Sequence, residues 1–369
     1  MSSIDDRGQK VFNNLKKKQF LGKTKKMSAR FIRQQVKDPQ DPGMFIGIEI
    51  GGTKLQLGVG PGDGTIAALW RTTVDPTRGS EGIRVQITQG LDELLAKAPI
   101  DRLQLRGAGI GFGGPIDMAA GTIIKSHQIA GWDNFPLAEW ASDVLQLPVT
   151  IGNDADVAGL GEALFGAGQG LSPIFYMTIG SGIGGGLIID GEIYRGSGKG
   201  AAEVGHLKLP GHYLHDPKLS CEPDDAIVEH AASGWAIQNA ARLAIQDPKN
   251  SESLLAKAFG ASPHKLIASD VAEAASKGDV LATEIVQVAW SQLAIGICHV
   301  IALLSPQRIV IGGGVSLMGE DLLFRPLRKL VADHVFQPFA DCYKIVPASL
   351  GEEVVVHGAL ALAKSKWDS

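Results

Sequence analysis

The stretch that most constrains this chain covers residues 178–207 and reads TIGSGIGGGLIIDGEIYRGSGKGAAEVGHL. An apolar strand at 174–179 runs into a turn rich in glycine (Gly180, Gly182, Gly184, Gly185 and Gly186), and a second strand at 187–189 leaves it. Glycines at that density let backbone N–H groups approach an anion with no Cβ in the way. The same grammar occurs upstream, where a strand at 45–50 meets Gly51-Gly52-Thr53-Lys54 and a strand follows at 55–59. Two strand–glycine turn–strand units predict two related half-molecules that grip one phosphorylated ligand. The upstream turn taken alone reads equally well as an ordinary hairpin.

From residue 44 onward strands and helices alternate. Helices are expected at 82–98, just after Asp154, between 226 and 245, between 281 and 304, and at 357–364. Further strands are expected at 105–112, 149–151 and 308–311. This order predicts an α/β protein with largely parallel sheets and a ligand beyond the strand ends. Residues 1–43 carry eleven Lys/Arg and four Asp, a net +7, whereas the remainder carries −11. They read as a basic, flexible extension before a breaker cluster, Asp38-Pro39-Gln40-Asp41-Pro42-Gly43. The overall charge of −4 gives no global field for nucleic acid. Cys221, Cys298 and Cys342 are odd in number and far apart, which argues against a disulfide framework and for a reducing cytoplasm. The most apolar long segment, 286–304, contains Gln287, Ser291, Gln292 and His299, and so reads as a buried core helix rather than a membrane span.

Gly180-Ser181-Gly182-Ile183-Gly184-Gly185 matches GxGxxG. A dinucleotide site needs that motif to open a helix, but here a strand and a tight Asp190-Gly191 turn follow, so a phosphate-binding hairpin is the better reading. Close packing is its alternative. The upstream turn lacks the GxxxxGK[ST] of a P-loop. Asn153-Asp154 sits at a strand-to-helix junction, where either residue can be a simple N-cap. A carboxylate in that crevice can also take a proton from a substrate hydroxyl. Glu203, His206 and Glu229 could hold a polyol. A metal bound by His206, His212, His215 and Cys221 is the rival, although their spacing fits no standard zinc pattern.

Ile46-Gly47-Ile48-Glu49-Ile50-Gly51-Gly52-Thr53-Lys54, Gly109-Ile110-Gly111-Phe112-Gly113-Gly114-Pro115-Ile116-Asp117 and Gly152-Asn153-Asp154-Ala155 together resemble the ROK family (repressors, open reading frames, sugar kinases). The resemblance continues through the Gly180 hairpin, Glu203-Val204-Gly205-His206, Ile309-Val310-Ile311-Gly312-Gly313-Gly314-Val315 and Leu350-Gly351-Glu352. It implies an actin-like ATPase (ribonuclease H-like) fold, with two α/β domains around a cleft in a homodimer or homotetramer. The small domain would take 44–153 plus 355–369 and the large one 154–354. The implied activity is transfer of the γ-phosphate of ATP to a hydroxyl of a glucose-like hexose, with Asp154 as general base. Asn153, Glu203, His206, Glu229, Gln128 and Gly114 would line the sugar. Gly51, Gly52, Thr53, Lys54, Thr178, Gly180, Ser181, Gly182, Gly184, Gly313 and Gly314 would hold ATP, and Glu49 its Mg2+.

Four departures from the family pattern stand out. Residues 218–227 hold one Cys where the family has a zinc-binding run of three, so no structural zinc is expected. Glu49 replaces the more usual Asp, Gln128 a common Asn, and Asp156 a frequent Asn. A sugar-responsive transcriptional regulator, a silent sugar-binding protein and polyphosphate as donor are the alternatives. Residues 1–43 are short for a DNA-binding helix-turn-helix, so no nucleic-acid partner is expected; with 286–304 read as a core helix, no membrane partner is expected either.

Overall fold

A computed structural model describes residues 43–126, 128–209 and 226–368. The basic extension at 1–42, along with His212, His215 and Cys221, lies outside them. The first half is built on a five-stranded sheet of β1 (Met44–Ile50), β2 (Lys54–Gly60), β3 (Ala68–Thr73), β4 (Leu105–Phe112) and β7 (Val149–Asn153), in the order β3-β2-β1-β4-β7. A small ribbon, β5 (Ile116–Asp117) and β6 (Thr122–Ile123), follows β4. Helices α1 (Gly79–Lys97) and α2 (Leu137–Leu145) complete this half.

Helix α3 (Asp154–Phe165) leads to a second five-stranded sheet. Its strands are β8 (Ile174–Ile179), β9 (Ile183–Ile189), β10 (Glu192–Ile193), β11 (Arg308–Gly312) and β12 (Lys344–Pro347), in the order β10-β9-β8-β11-β12. Between β10 and β11 come α4 (Val228–Ala232), α5 (Gly234–Ala244), α6 (Leu254–Phe259), α7 (Ala268–Ser276) and α8 (Val280–Leu304). Helix α9 (Arg325–His334) precedes β12, and α10 (Val354–Asp368) closes the chain.

Both sheets are mixed, contrary to the largely parallel expectation. In each, an antiparallel ribbon (β3-β2-β1 and β10-β9-β8) continues into parallel neighbours (β4 and β7, or β11 and β12). The glycine hairpins cause this, because a short turn can join only antiparallel strands. β1 and β4 sit inside the first sheet and are buried almost throughout, which is why they read as continuous apolar runs.

Helix α8 is long and apolar enough to cross a membrane by length and composition, and 61% of its most apolar window is buried within the fold. Trp290, Leu293, Ile297 and Ile301 share one core with residues of α5, α7 and α9. Trp290 Nε1 donates to Leu322 O at 2.7 Å, which satisfies the indole inside that core. The helix serves as the spine of the second half.

Helix α10 returns across the first sheet and packs on α3. A Cβ on Gly358 would lie 1.7 Å from Val157 O, and one on Gly109 would lie 2.0 Å from Ala359 O. The backbones therefore meet with no side chain between them. This contact fixes α3, and with it the residue at the helix N-terminus, against the first sheet.

Candidate active site

Asn153 ends β7 and caps α3. Its Oδ1 accepts from Ala155 N at 2.9 Å and Asp156 N at 3.4 Å, and its Nδ2 donates to Gly114 O at 3.1 Å. The capping role thus falls to Asn153, and the neighbouring carboxylate of Asp154 is not needed for it. Asp154 Oδ1 accepts from Ala155 N at 2.9 Å. Burial pushes the Asp154 carboxyl up to about 7; the charges of Glu49 and Glu203 add to the rise, and the Ala155 N–H opposes it.

Asp154 lines a cavity of about 370 Å³ together with Glu49, Lys54, Thr178, Gly313 and Glu352. Glu49 is buried on β1, where Lys54 Nζ stands 3.4 Å from Oε1 and Gln56 Nε2 donates to Oε2 at 2.6 Å. Burial raises its carboxyl, and Lys54 and Gln56 pull it back. Lys54 and Gln56 also donate to Glu352 O, at 2.9 and 2.8 Å. The two polar side chains of β2 thus join the β1 carboxylate to the segment before α10, a link that no sequence motif announced.

A second cavity of about 330 Å³ is lined by Gly180, Ser181, Trp235, Gln238, Ile267 and Gly314. Trp235 and Ile267 are 58% and 50% exposed there, so they present apolar surface to an occupant. Gly314 lines both cavities. Space is open beside Gly180 and Gly314, while Gly313 holds φ +83° with Ile179 backbone atoms 2.5 Å from a would-be Cβ. Only glycine fits that position. Sequence patterning missed Trp235, which lies on a helix that looks merely amphipathic, and Ile267, which immediately precedes another.

The Gly180 turn is tighter than the sequence suggested. Its tip is Gly180-Ser181-Gly182, closed by Gly180 N donating to Gly182 O at 2.9 Å, and β9 already begins at Ile183. Gly184 pairs with Thr178 in the ladder rather than sitting in the turn. Cβ atoms on Gly185 and Gly186 would meet Ala202 O at 2.4 Å and Asp156 Cα at 2.9 Å. Close packing therefore accounts for these two glycines. Glu229, on α4, accepts from Ile183 N at 2.7 Å and so braces the base of this turn. Glu203 and His206 are exposed, with Oε2 and Nδ1 3.9 Å apart. Gln128 is brought to the first turn, where its Oε1 lies 1.5 Å from where a Gly52 Cβ would be. Gly51 N donates to Lys54 O at 3.0 Å, and Thr53 at the tip is exposed. Among the described residues, no group of three or more His, Cys, Asp or Glu could hold a metal ion.

Two sheets, each opening with a glycine-turned hairpin, with a carboxylate at a helix N-terminus beside a large cavity, define an actin-like ATPase fold. The chain belongs to the ROK family, which it matches over residues 45–366. It is 31% identical over 329 residues to a glucokinase of Halalkalibacterium halodurans, covering 88% of this chain and 96% of the relative. It is 32% identical over 324 residues to a glucokinase of Thermotoga maritima, covering 87% and 98%. The crystal structure of a ROK family glucokinase from Streptomyces griseus, in complex with glucose and AMPPNP, superposes with a TM-score of 0.71 at 29% identity, over 88% of this chain and all of that one.

Proposed function

We propose that this protein is an ATP-dependent hexose kinase acting on a glucose-like sugar. The observation that carries the reading is Asp154. Its carboxylate stands at the head of a buried helix, relieved of capping by Asn153, on the wall of the larger cavity. Burial keeps its proton affinity high enough to take a proton near neutral pH. The glucokinase likeness over nearly the whole chain supports both the acceptor and the donor.

In this reading the sugar lies against Asn153, Gly114, Gln128, Glu203, His206 and Glu229. Asp154 accepts the hydroxyl proton as the oxygen–phosphorus bond forms, and the bond to ADP breaks. The ATP phosphates lie along Gly51, Gly52, Thr53 and Lys54 on one side. On the other side lie Thr178, Gly180, Ser181, Gly182, Gly184, Gly313 and Gly314. The open space at Gly180, on the second cavity, and at Gly314, which lines both, supports this path. Trp235 and Ile267 suit a nucleobase, which favours ATP over polyphosphate.

Glu49, a hard carboxylate on the cavity wall, fits Mg2+, an ion that takes one or two protein carboxylates and otherwise phosphate and water oxygens. Glu49 is the residue that would hold it, and the ion would neutralise charge on the phosphates. No structural zinc belongs to the reading, since residues 218–227 contain one Cys. The small domain, 44–153 with 355–369, and the large one, 154–354, would close on the substrates and exclude water. A homodimer or homotetramer in the cytoplasm completes the proposal.

The test is ADP release from Mg·ATP over a panel of hexoses and N-acetylhexosamines, with Asp154→Asn alongside. Turnover with one sugar, abolished in the variant, is expected. Near-normal activity of Asp154→Asn would remove the base assignment. No turnover of ATP with any sugar, with polyphosphate turned over instead, would overturn the donor.

A further inference from the structure

Glu49 of β1 and Gln56 of β2 stand directly opposite each other in the antiparallel ladder, and Gln56 stands opposite Arg71 of β3. The register of the first hairpin therefore sets a carboxylate, an amide and a guanidinium in one row across three strands. Gln56, in the middle of the row, is fully buried, which is uncommon for glutamine. Its Nε2 donates to Glu49 Oε2 at 2.6 Å and to Glu352 O at 2.8 Å, so both amide protons are used. Both partners are acceptors only, and a flipped amide would set its own oxygen against them. The other end of the amide gains nothing: Gln56 Oε1 is buried and makes no hydrogen bond among the described residues. A buried carbonyl without a donor costs stability. The position bears that cost for a placed NH2 group.

The two bonds of that NH2 group are not of equal consequence. Lys54 Nζ also donates to Glu352 O, at 2.9 Å, so the tie from β2 to the segment before α10 does not depend on Gln56. The bond to Glu49 has no such duplicate at Oε2. Lys54 approaches the other oxygen, Oε1, with Nζ at 3.4 Å, from a partly exposed side chain. A glutamate carboxylate hangs on three torsions, and its own backbone places it poorly. A neutral donor locked in the core removes that freedom without neutralising the charge, as a buried cation in its place would.

We propose that Gln56 is a positioning residue for the Mg2+ that accompanies ATP: it clamps the Glu49 carboxylate by Oε2 and leaves Oε1 to the ion. The proposal rests on Glu49 being the residue that holds Mg2+. Gln56 itself, fully buried, touches neither ion nor nucleotide. Partners of this kind fix the orientation of a metal-binding carboxylate, and their loss typically weakens metal binding 10–100-fold.

The test uses AMPPNP as probe and calorimetry as readout, with no turnover involved. Its dissociation constant is measured with Mg2+ and with EDTA, and the ratio is the gain due to the ion. Gln56→Met keeps the length and bulk of the side chain and removes the amide. The gain should fall about tenfold, with the metal-free constant within about twofold of wild type. An unchanged gain overturns the proposal. So do two constants that weaken by the same factor, which would make Gln56 a support of the fold alone. Should Gln56→Met fail to fold, Gln56→Asn, which draws the amide back by one methylene, carries the same expectation. Glu49→Gln, measured alongside, should lose the gain. If it keeps the wild-type gain, the assignment of Mg2+ to Glu49 fails and the proposal with it. If it loses the gain while Gln56→Met keeps it, the assignment stands and the proposal alone is overturned.

Discussion

Asp154→Asn should give a protein that is dead as a kinase and more stable than wild type at alkaline pH. The unfolded chain ionises this carboxyl near 3.8, whereas burial in the folded protein delays ionisation to about 7. Between those values the folded state holds the extra proton. Wild-type stability therefore falls as pH rises through that window, and the penalty is complete above it and absent below about 4. About three pH units at about 1.4 kcal/mol each give about 4 kcal/mol. The side chain is partly exposed at the cavity, which screens the charge and brings the expectation to about 2 kcal/mol. Asparagine carries no such penalty and can still accept from Ala155 N through Oδ1. Urea denaturation of both proteins, followed by tryptophan fluorescence with Trp132 and Trp290 as buried reporters, measures the gap. The advantage of the variant should be near zero at about pH 4.5 and reach about 2 kcal/mol at about pH 8. A gap independent of pH, or a variant less stable than wild type at pH 8, would refute the claim that this carboxylate is held in a desolvated site.

Two further substitutions probe the support behind α3 and the wall of the second cavity. Glu162 is fully buried on α3, where Oε1 accepts from Ser349 N and Leu350 N at 2.8 Å each and Oε2 from Ala167 N at 2.7 Å. Glu162→Gln sets an NH2 group against backbone donors and should lower unfolding free energy by about 2–3 kcal/mol in urea titrations. Trp235→Ala should raise the KM for ATP about tenfold with kcat within twofold, in line with loss of about 1.4 kcal/mol of base stacking. An unchanged KM would place the nucleobase elsewhere.

Much of the fold was legible because β1, β4, β8 and β11 are runs of apolar residues ending in glycine, and such runs have few alternatives once turns bound them. Sheet direction was misjudged although the hairpins were seen, because alternation of helices with strands says nothing of how the hairpin strands join the parallel ones. The Gly184–Gly186 run shows a different limit. Glycine composition cannot tell a ligand-facing backbone from a helix-facing one, and here Gly186 is opposed by Asp156 and not by open space.

What the sequence concealed is mostly what joins distant segments. Lys54 and Gln56 bind Glu352 O nearly three hundred residues away. Arg71 of β3 pairs with Glu352 at 3.4 Å and with Glu353. Glu162 holds the backbone of 349–350 just upstream. Each contact looks unremarkable as a local pattern, because its partner is set by where α10 returns. Yet they converge on one segment, 349–353, which leaves β12 and enters α10. Helix α3, which carries Asp154, the carboxylate on β1 and the wall of the larger cavity are thus tied through backbone carbonyls and amides of a single connection. A substitution in that connection should therefore disturb nucleotide and sugar kinetics together.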